Sequence, residues 1–483
     1  MKQSVLWRRP LGLALLLGFV FVTACGSPVV PLATSSPTTA SSAAVAQSAT
    51  TVTPSTTGTE IATASAVAEP SVVETAQSAS ATPTAAATTS PTATLVPTAA
   101  PTALPAPTAT AAPTATPAPT QVALAPFDPA LAAELQRILD QTVADGQIPG
   151  AVLSVSVAGQ APWNGASGVA DRGQNRPMEP HTNVRIASIS KIFTAVVVLQ
   201  LAEAGVIDLD APLARYVPNL VPNDNVITVR NLLNHTSGLY DYLEDRNFQA
   251  QAYERPERVI PPTELVTYAT RFAPAFPPAS ANNWDYSSTN FVLLGMVVEA
   301  ATGNSLAQEM RQRIFAPLGL KQTYFPSDEQ VPPTAARGYR GNIDQTDVAM
   351  SFAFATANVV STADEVRRFA EALVNGKLLQ PAMLEQMFTF VNGKGQYNMP
   401  ALEYGLGIMR NQLPVGPGPN GAARPPAAST VVGHIGGFAG FRSAVWSTPG
   451  GEIIIALGVN QGATDPNLLA TRVFDAILTH QGR

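Results

Sequence analysis

The chain has 483 residues, with 28 basic and 34 acidic side chains and a net charge of −6. So mild an acidic balance provides no basic stripe for nucleic acid and no polybasic patch for a membrane surface. Cys25 is the only cysteine, which excludes a disulfide framework; once it is acylated, as expected below, no thiol is left for Cys–His chemistry.

The first residues, "MKQSVLWRRP", carry Lys2, Arg8 and Arg9 ahead of an apolar run from Leu11 to Ala24. A bilayer-spanning helix needs roughly 18 to 20 apolar residues, so this shorter run reads as a signal peptide over residues 1–24. "VTAC" before Gly26 resembles the lipobox of bacterial lipoproteins, which predicts acylation of Cys25 and anchoring to the outer side of a bacterial cell membrane; ordinary secretion with an incidental cysteine is the alternative. Residues 25–126 are built from Ala, Thr, Pro and Ser, with no aromatic residue and only Glu60, Glu69 and Glu74 charged. Such a segment cannot bury enough apolar surface to offset the entropy of ordering and is expected to be a disordered stalk. Its reach is about 300 Å if fully extended and nearer 55 Å as a flexible coil.

Residues 127–483 are expected to fold, in a unit large enough for two lobes. "FDPALAAELQRILDQTVADG" predicts a helix capped by Asp128, with Leu131, Leu135, Ile138 and Leu139 on one face. "GAVLSVSVAGQAPWNGASGVAD" alternates as a hairpin turning near Gly159, and "FRSAVWSTPGGEIIIALGVNQ" as another turning at Pro449-Gly450-Gly451. The helix "PNLLATRVFDAILTH" closes the chain, and the middle, from about Glu179 to Arg368, has a mostly helical pattern. The predicted class is α+β: one antiparallel sheet assembled from the chain ends, flanked by helices, with an inserted mostly helical lobe.

"RIASISKIFTAVVVLQLAEAG" contains the chain's one Ser-x-x-Lys, Ser188 and Lys191. Serine is a poor nucleophile until a base takes its proton, and a charged lysine is no base. Apolar neighbours such as Ile192, Phe193 and the valines beyond disfavour the ammonium form and lower its pKa. The i, i+3 spacing turns both side chains the same way, with Ser188 at the amino end, where free N–H groups favour an oxyanion. A capping serine followed by a lysine snorkelling to solvent would leave the same letters, so the pattern needs company.

Company comes in fixed order: "ITVRNLLNHTSGLYDY", "WDYSSTNFVLLGMVVEAATG" and "GHIGGFAGF". With the Ser188 block, these resemble the serine β-lactamase and D-alanyl-D-alanine peptidase superfamily, in particular its class C β-lactamase-like branch of carboxypeptidases, D-aminopeptidases and esterases. The resemblance implies a β-lactamase/transpeptidase-like fold, no cofactor and no metal. It makes Ser188 the nucleophile, Lys191 its activator, and Tyr286 the phenol of a Tyr-x-Asn pattern, either as phenolate or sharing a proton with Lys191. His434-Ile435-Gly436 matches the strand motif across the cleft, with the Ser188 and Gly437 amides as oxyanion hole and His434 tuning Tyr286 or orienting substrate. The neighbouring glycines are expected to let substrate backbone approach.

Two departures matter. Ser288 replaces the usual Asn, and Ile435 stands where Thr is common with no hydroxyl on Gly437 after it, so of the expected substrate-binding positions Ser288, Ile435 and Gly436 the rim is left short of amide and hydroxyl contacts. The reading is a serine hydrolase acting through an acyl-enzyme on a small-molecule or peptide substrate, an ester or amide (D-amino-acid peptides and β-lactams among them). A non-catalytic, penicillin-binding-like envelope protein is the alternative. His235, in "LLNHTSGL", reads as a structural core residue.

Overall fold

The computed structural model describes residues 124–483. The expected signal peptide, Cys25 and all but the end of the expected stalk lie outside the described residues. The Ala125 N–H donates to Gly159 O at 3.1 Å and its carbonyl accepts from Ala161 at 2.7 Å, so regular pairing starts just ahead of Phe127.

Nine strands build the main sheet: β1 Gly150–Val157, β2 Trp163–Asp171, β3 Arg176–Pro177, β4 Val391–Asn392, β5 Glu403–Tyr404, β6 Met409–Gln412, β7 Thr430–Phe438, β8 Phe441–Ser447 and β9 Ile453–Val459. Their spatial order is β3-β2-β1-β9-β8-β7-β6-β5-β4, and every neighbouring pair is antiparallel. Both expected hairpins are present. β1 pairs with β9, Leu153 opposite Leu457, so the chain ends meet at mid-sheet. The short strands β4 to β6 extend the sheet beyond β7 and carry no periodicity that predicts them.

The main helices are α1 Pro129–Asp145, α2 Ser190–Glu203, α3 Ser288–Thr302, α4 Ala363–Val374 and α5 Pro466–His480. Asp128 caps α1, its carboxylate accepting the Ala130 and Leu131 N–H groups, each at 2.9 Å. Strand residues alternate between two apolar layers because successive side chains leave opposite faces of a sheet. Ile453, Ile455 and Leu457 join Leu131 and Leu135 of α1 and Val473 and Phe474 of α5. Ile454 and Ala456 face the other way, into the layer built around α2 and α3. The bipartite core is thus two layers divided by one sheet. With both faces covered, β9 is apolar along its whole length, as strands buried on both sides are.

The sheet-facing side of α4 carries one charge inward. Arg367 is buried, and its Nε donates to Ser154 Oγ on β1 at 3.0 Å while Asp364 and Glu371 take its other nitrogens at 2.9 and 2.8 Å. Pairing on every side is what permits a guanidinium there.

Ile455 is fully buried whereas Leu468 is 65% exposed. Ile455→Ala is expected to destabilise the fold by about 2 to 5 kcal/mol, and Leu468→Ala by no more than about 0.5 kcal/mol. Equal denaturation midpoints for the two variants would contradict this layer assignment.

Candidate active site

The site is assembled where α2 begins. A 3-10 turn, Ala187–Ile189, runs directly into α2, and Ala187 has a left-handed φ of 49°. A β-carbon is disfavoured in that conformation, so the turn must be held from outside. Ser443 Oγ of β8 donates to Ile186 O at 2.7 Å, and Gly436 of β7 lets the turn lie against the strand. A β-carbon at Gly436 would sit 2.5 Å from Ile186 O and 3.0 Å from the Ala187 methyl. The approach that needs glycine here is therefore the chain's own backbone, where the sequence suggested substrate backbone.

Helix α2 is buried from Ser190 through Leu199, which accounts for its apolar residues on all sides. Lys191 has no exposed surface. Its Nζ donates to Ser188 Oγ at 3.2 Å and to Thr356 O at 3.2 Å, and it lies 5.0 Å from the Tyr286 ring centre and 5.6 Å from that of Phe291. Burial pushes its pKa down to about 7, against the opposing pull of the Asp241 carboxyl. A deprotonated amine is therefore accessible near neutral pH, within reach of the hydroxyl.

Tyr286 stands just before α3, its phenol near enough to the Ser188 hydroxyl to interact with it. Burial raises its pKa, with the Ser188 contact opposing, so the resting group is a neutral phenol. This favours the proton-sharing reading of Tyr286 over the phenolate. His235 holds the segment in place: its Nδ1 accepts from the Ser287 N–H and the Asn290 side-chain amide, both at 3.1 Å, and its ring lies 4.4 Å from that of Tyr286. Its backbone carbonyl also accepts from Asp285 at 3.2 Å.

His434 is fully buried, with its ring centre 6.1 Å from that of Tyr286. Nδ1 donates to the Ile435 carbonyl at 2.5 Å, which leaves Nε2 to accept from Tyr404 Oη at 3.0 Å. Burial, then the Lys191 charge, lower its pKa to about 3. With both nitrogens engaged, it touches the site through Tyr404 and takes up no second proton near neutrality. Ser288, first residue of α3, is wholly buried, and Gly436 faces the Ala187 turn; Ile435 and Gly437 keep partial exposure. Ile435 packs against the core layer on the α1 side.

Three neighbours escaped the sequence reading. Asp241 is buried and acts on both Lys191 and Ser288. Glu244 follows it, its pKa raised to about 7 by burial and by the charges of Asp241 and Asp285. Tyr397 has a left-handed φ of 59° and sets its ring edge-on to Tyr286 at 5.3 Å; Gln396 Nε2 ties that loop to Asp285 Oδ1 at 2.9 Å. Asp241 was adjacent to the HTSGL block and readable as a neighbour, whereas Tyr397 carried no signal. Among the described residues, no three His, Cys, Asp or Glu side chains are grouped to hold a metal ion.

A serine hydroxyl bonded to a buried amine that lies over a protonated phenol, at the seam of a sheet and a helical layer, defines a serine hydrolase. The comparisons agree: the Beta-lactamase family model matches residues 135–478. The chain belongs to the beta-lactamase family. It is similar to Esterase EstB of Burkholderia gladioli, 35% identical over 217 residues, spanning 41% of this chain and 53% of that protein. A D-aminopeptidase of Cereibacter sphaeroides is 33% identical over 212 residues, 43% of this chain and 39% of the relative. The chain thus spans about half the length of these curated relatives. Among solved structures, a D-stereospecific amidohydrolase from Streptomyces sp. is 33% identical with a TM-score of 0.61, covering 71% of this chain and 97% of that one. The D-amino acid amidase from Ochrobactrum anthropi SV3, complexed with L-phenylalanine, is 29% identical with a TM-score of 0.63, covering 73% and 99%.

Because only the neutral amine accepts a proton, kcat/KM is expected to rise as pH increases through about 7, the Lys191 pKa. Lys191→Arg, which stays charged, should lower kcat/KM by about a thousandfold or more. An acid limb near pH 4 would instead point to a carboxylate base.

Proposed function

We propose that the protein is an extracytoplasmic serine hydrolase that opens esters and amides, D-amino-acid amides and peptides among them, through an acyl-enzyme on Ser188. The observation that carries this reading is the 3.2 Å contact between Ser188 Oγ and a buried Lys191 amine whose pKa lies near 7. As Oγ attacks the carbonyl carbon, its proton passes to Lys191. The Ser188 and Gly437 N–H groups hold the resulting oxyanion, each donor worth about 3 to 4 kcal/mol in the transition state. Tyr286 gives its phenolic proton to the departing nitrogen or oxygen and regains one from the Lys191 ammonium. Water then repeats the sequence to release the acid and restore Ser188.

The substrate class is supported by the relatives, whose names pair esterase with D-aminopeptidase and D-amino acid amidase. Ser288 and Ile435 favour substrates without a free carboxylate over β-lactams, because amide and hydroxyl donors are missing there. Placement in the class C-like branch follows from the order of the motif blocks. Anchoring through an acylated Cys25, at the end of a Pro-rich stalk, follows from the leader sequence.

Ser188→Ala should abolish labelling by a fluorophosphonate and lower ester turnover by about a thousandfold or more. Undiminished labelling of that variant would refute the assignment, and stoichiometric labelling without turnover of any substrate would favour a non-catalytic binder. Short-chain p-nitrophenyl esters should be cleaved with higher kcat/KM than a chromogenic cephalosporin, and D-phenylalanine amide about tenfold or more faster than its L form. The reverse order in either comparison would move the substrate class.

Cells expressing the full chain should incorporate labelled palmitate and retain the protein in the membrane fraction. Cys25→Ala should lose the label and release it, and retention of both would remove the anchor from this reading.

A further inference from the structure

We propose that Arg442 supplies a fixed positive charge to the oxyanion hole, its guanidinium lying across the side-chain position that Gly437 leaves empty. This deepens the acyl-enzyme reading above and rests on it, since it takes the Gly437 N–H as an oxyanion donor.

Strand pairing puts the cation there. Arg442 on β8 is the direct partner of Gly437 on β7, and directly opposite residues of an antiparallel pair share one face of the sheet. Ile435, two residues before Gly437 and so on the same face, packs into the layer on the α1 side. Gly436 meets the Ala187 turn on the other face. The strand is therefore covered on both sides at consecutive glycines, by the nucleophile's own turn and by the guanidinium. A β-carbon at Gly437 would lie 2.2 Å from Arg442 Nη1 and 2.8 Å from its Cζ, so a larger residue there would push the cation away. The pairing of β6 with β7 runs only as far as Gly433. Among the described residues, Ile435 to Phe438 thus have a strand partner in β8 alone, which leaves their other edge open to a substrate carbonyl.

The charge is otherwise unpaired. Among the described residues, Nε donates to Gly462 O at 2.9 Å and no carboxylate forms an ion pair with the group. Arg442 is half-buried, and burial lowers its pKa against the pull of the Asp465 carboxyl; arginine nonetheless keeps its proton at any working pH. A cation taken partly out of water without a paired anion is costly. That cost is offset when negative charge forms beside it, as it does next to Gly437 when Ser188 attacks. The guanidinium thereby favours the transition state over a neutral ground state.

Fastening the loop after β9 is the competing duty. The Gly462 N–H donates to Tyr339 O at 2.7 Å, and Arg442 Nε holds the carbonyl of the same residue. That contact uses Nε alone and gives no reason for Nη1 to lie on Gly437. The experiment therefore compares full-length Arg442→Gln, which can still donate to Gly462 O but has no charge, with Arg442→Lys, which keeps the charge. The substrates are p-nitrophenyl acetate, which is neutral, and the mono-p-nitrophenyl ester of a dicarboxylic acid, which is anionic. In Arg442→Gln, kcat and kcat/KM should fall about tenfold on both esters, with KM for the acetate unchanged. Arg442→Lys should keep most of the wild-type kcat, and Arg442→Met serves as the neutral variant if the Gln variant does not fold. An unchanged kcat in the neutral variant, or equal losses in it and in Arg442→Lys, overturns the proposal and leaves the acyl-enzyme reading standing. A loss confined to KM for the anionic ester also overturns it, making Arg442 a contact for a ground-state carboxylate instead. A wild-type protein with no Ser188-dependent turnover overturns both.

Discussion

Everything at the site depends on keeping one primary amine out of water. In solvent Lys191 would stay protonated to about pH 10 and could take nothing from a hydroxyl. Once it is sealed in the helical layer its pKa falls to about 7, with two acceptors and two aromatic faces beside it. The fold can be read as the apparatus for that burial. Helix α2 must be covered on all sides, which requires a sheet on one face and α3 on the other, and the sheet must itself be covered behind by α1 and α5.

The same dehydration sorts the other polar groups. Tyr286 remains a phenol and His434 a neutral imidazole, because burial opposes any charge on either. Their value is in position: one phenol beside Ser188 and Lys191, one imidazole fixing Tyr404. Glu244, also near 7, lies among other carboxyls and titrates in the same range as Lys191 for the opposite reason, since burial there penalises an anion. Three of the left-handed non-glycine residues border the site: Ala187 before the serine, His235 beneath the tyrosine and Tyr397 beside it. Such residues persist where surrounding contacts over-determine them.

Much of the fold was legible because it follows from periodicity. Alternation in "GAVLSVSV" and the hairpin pattern of "FRSAVWSTPGGEIIIALGVNQ" marked the central strands, and Asp128 marked a helix start that its side chain does cap. The short strands from Val391 to Gln412 escaped, since pairings of two residues are too brief to show an alternating pattern. At the site, Ser188 and Lys191 were legible from spacing, Tyr286 and His434 from motif order. The glycine at 436 was legible as a residue but its reason was not, because nothing local says that Ile186 and Ala187 will lie across it.

By itself the sequence determined the chemistry available: one serine three residues ahead of one lysine, an apolar helix around them, and a tyrosine and strand motif in a fixed order. Those are properties of neighbours along the chain, where helical geometry dictates which side chains meet. Only the tertiary structure decided the protonation states and the company: how deeply Lys191 is buried, that Tyr286 keeps its proton, and that His434 spends both nitrogens on Tyr404 and Ile435. Burial and charge coupling depend on distances through space, and those are set by segments that the chain brings together from far apart.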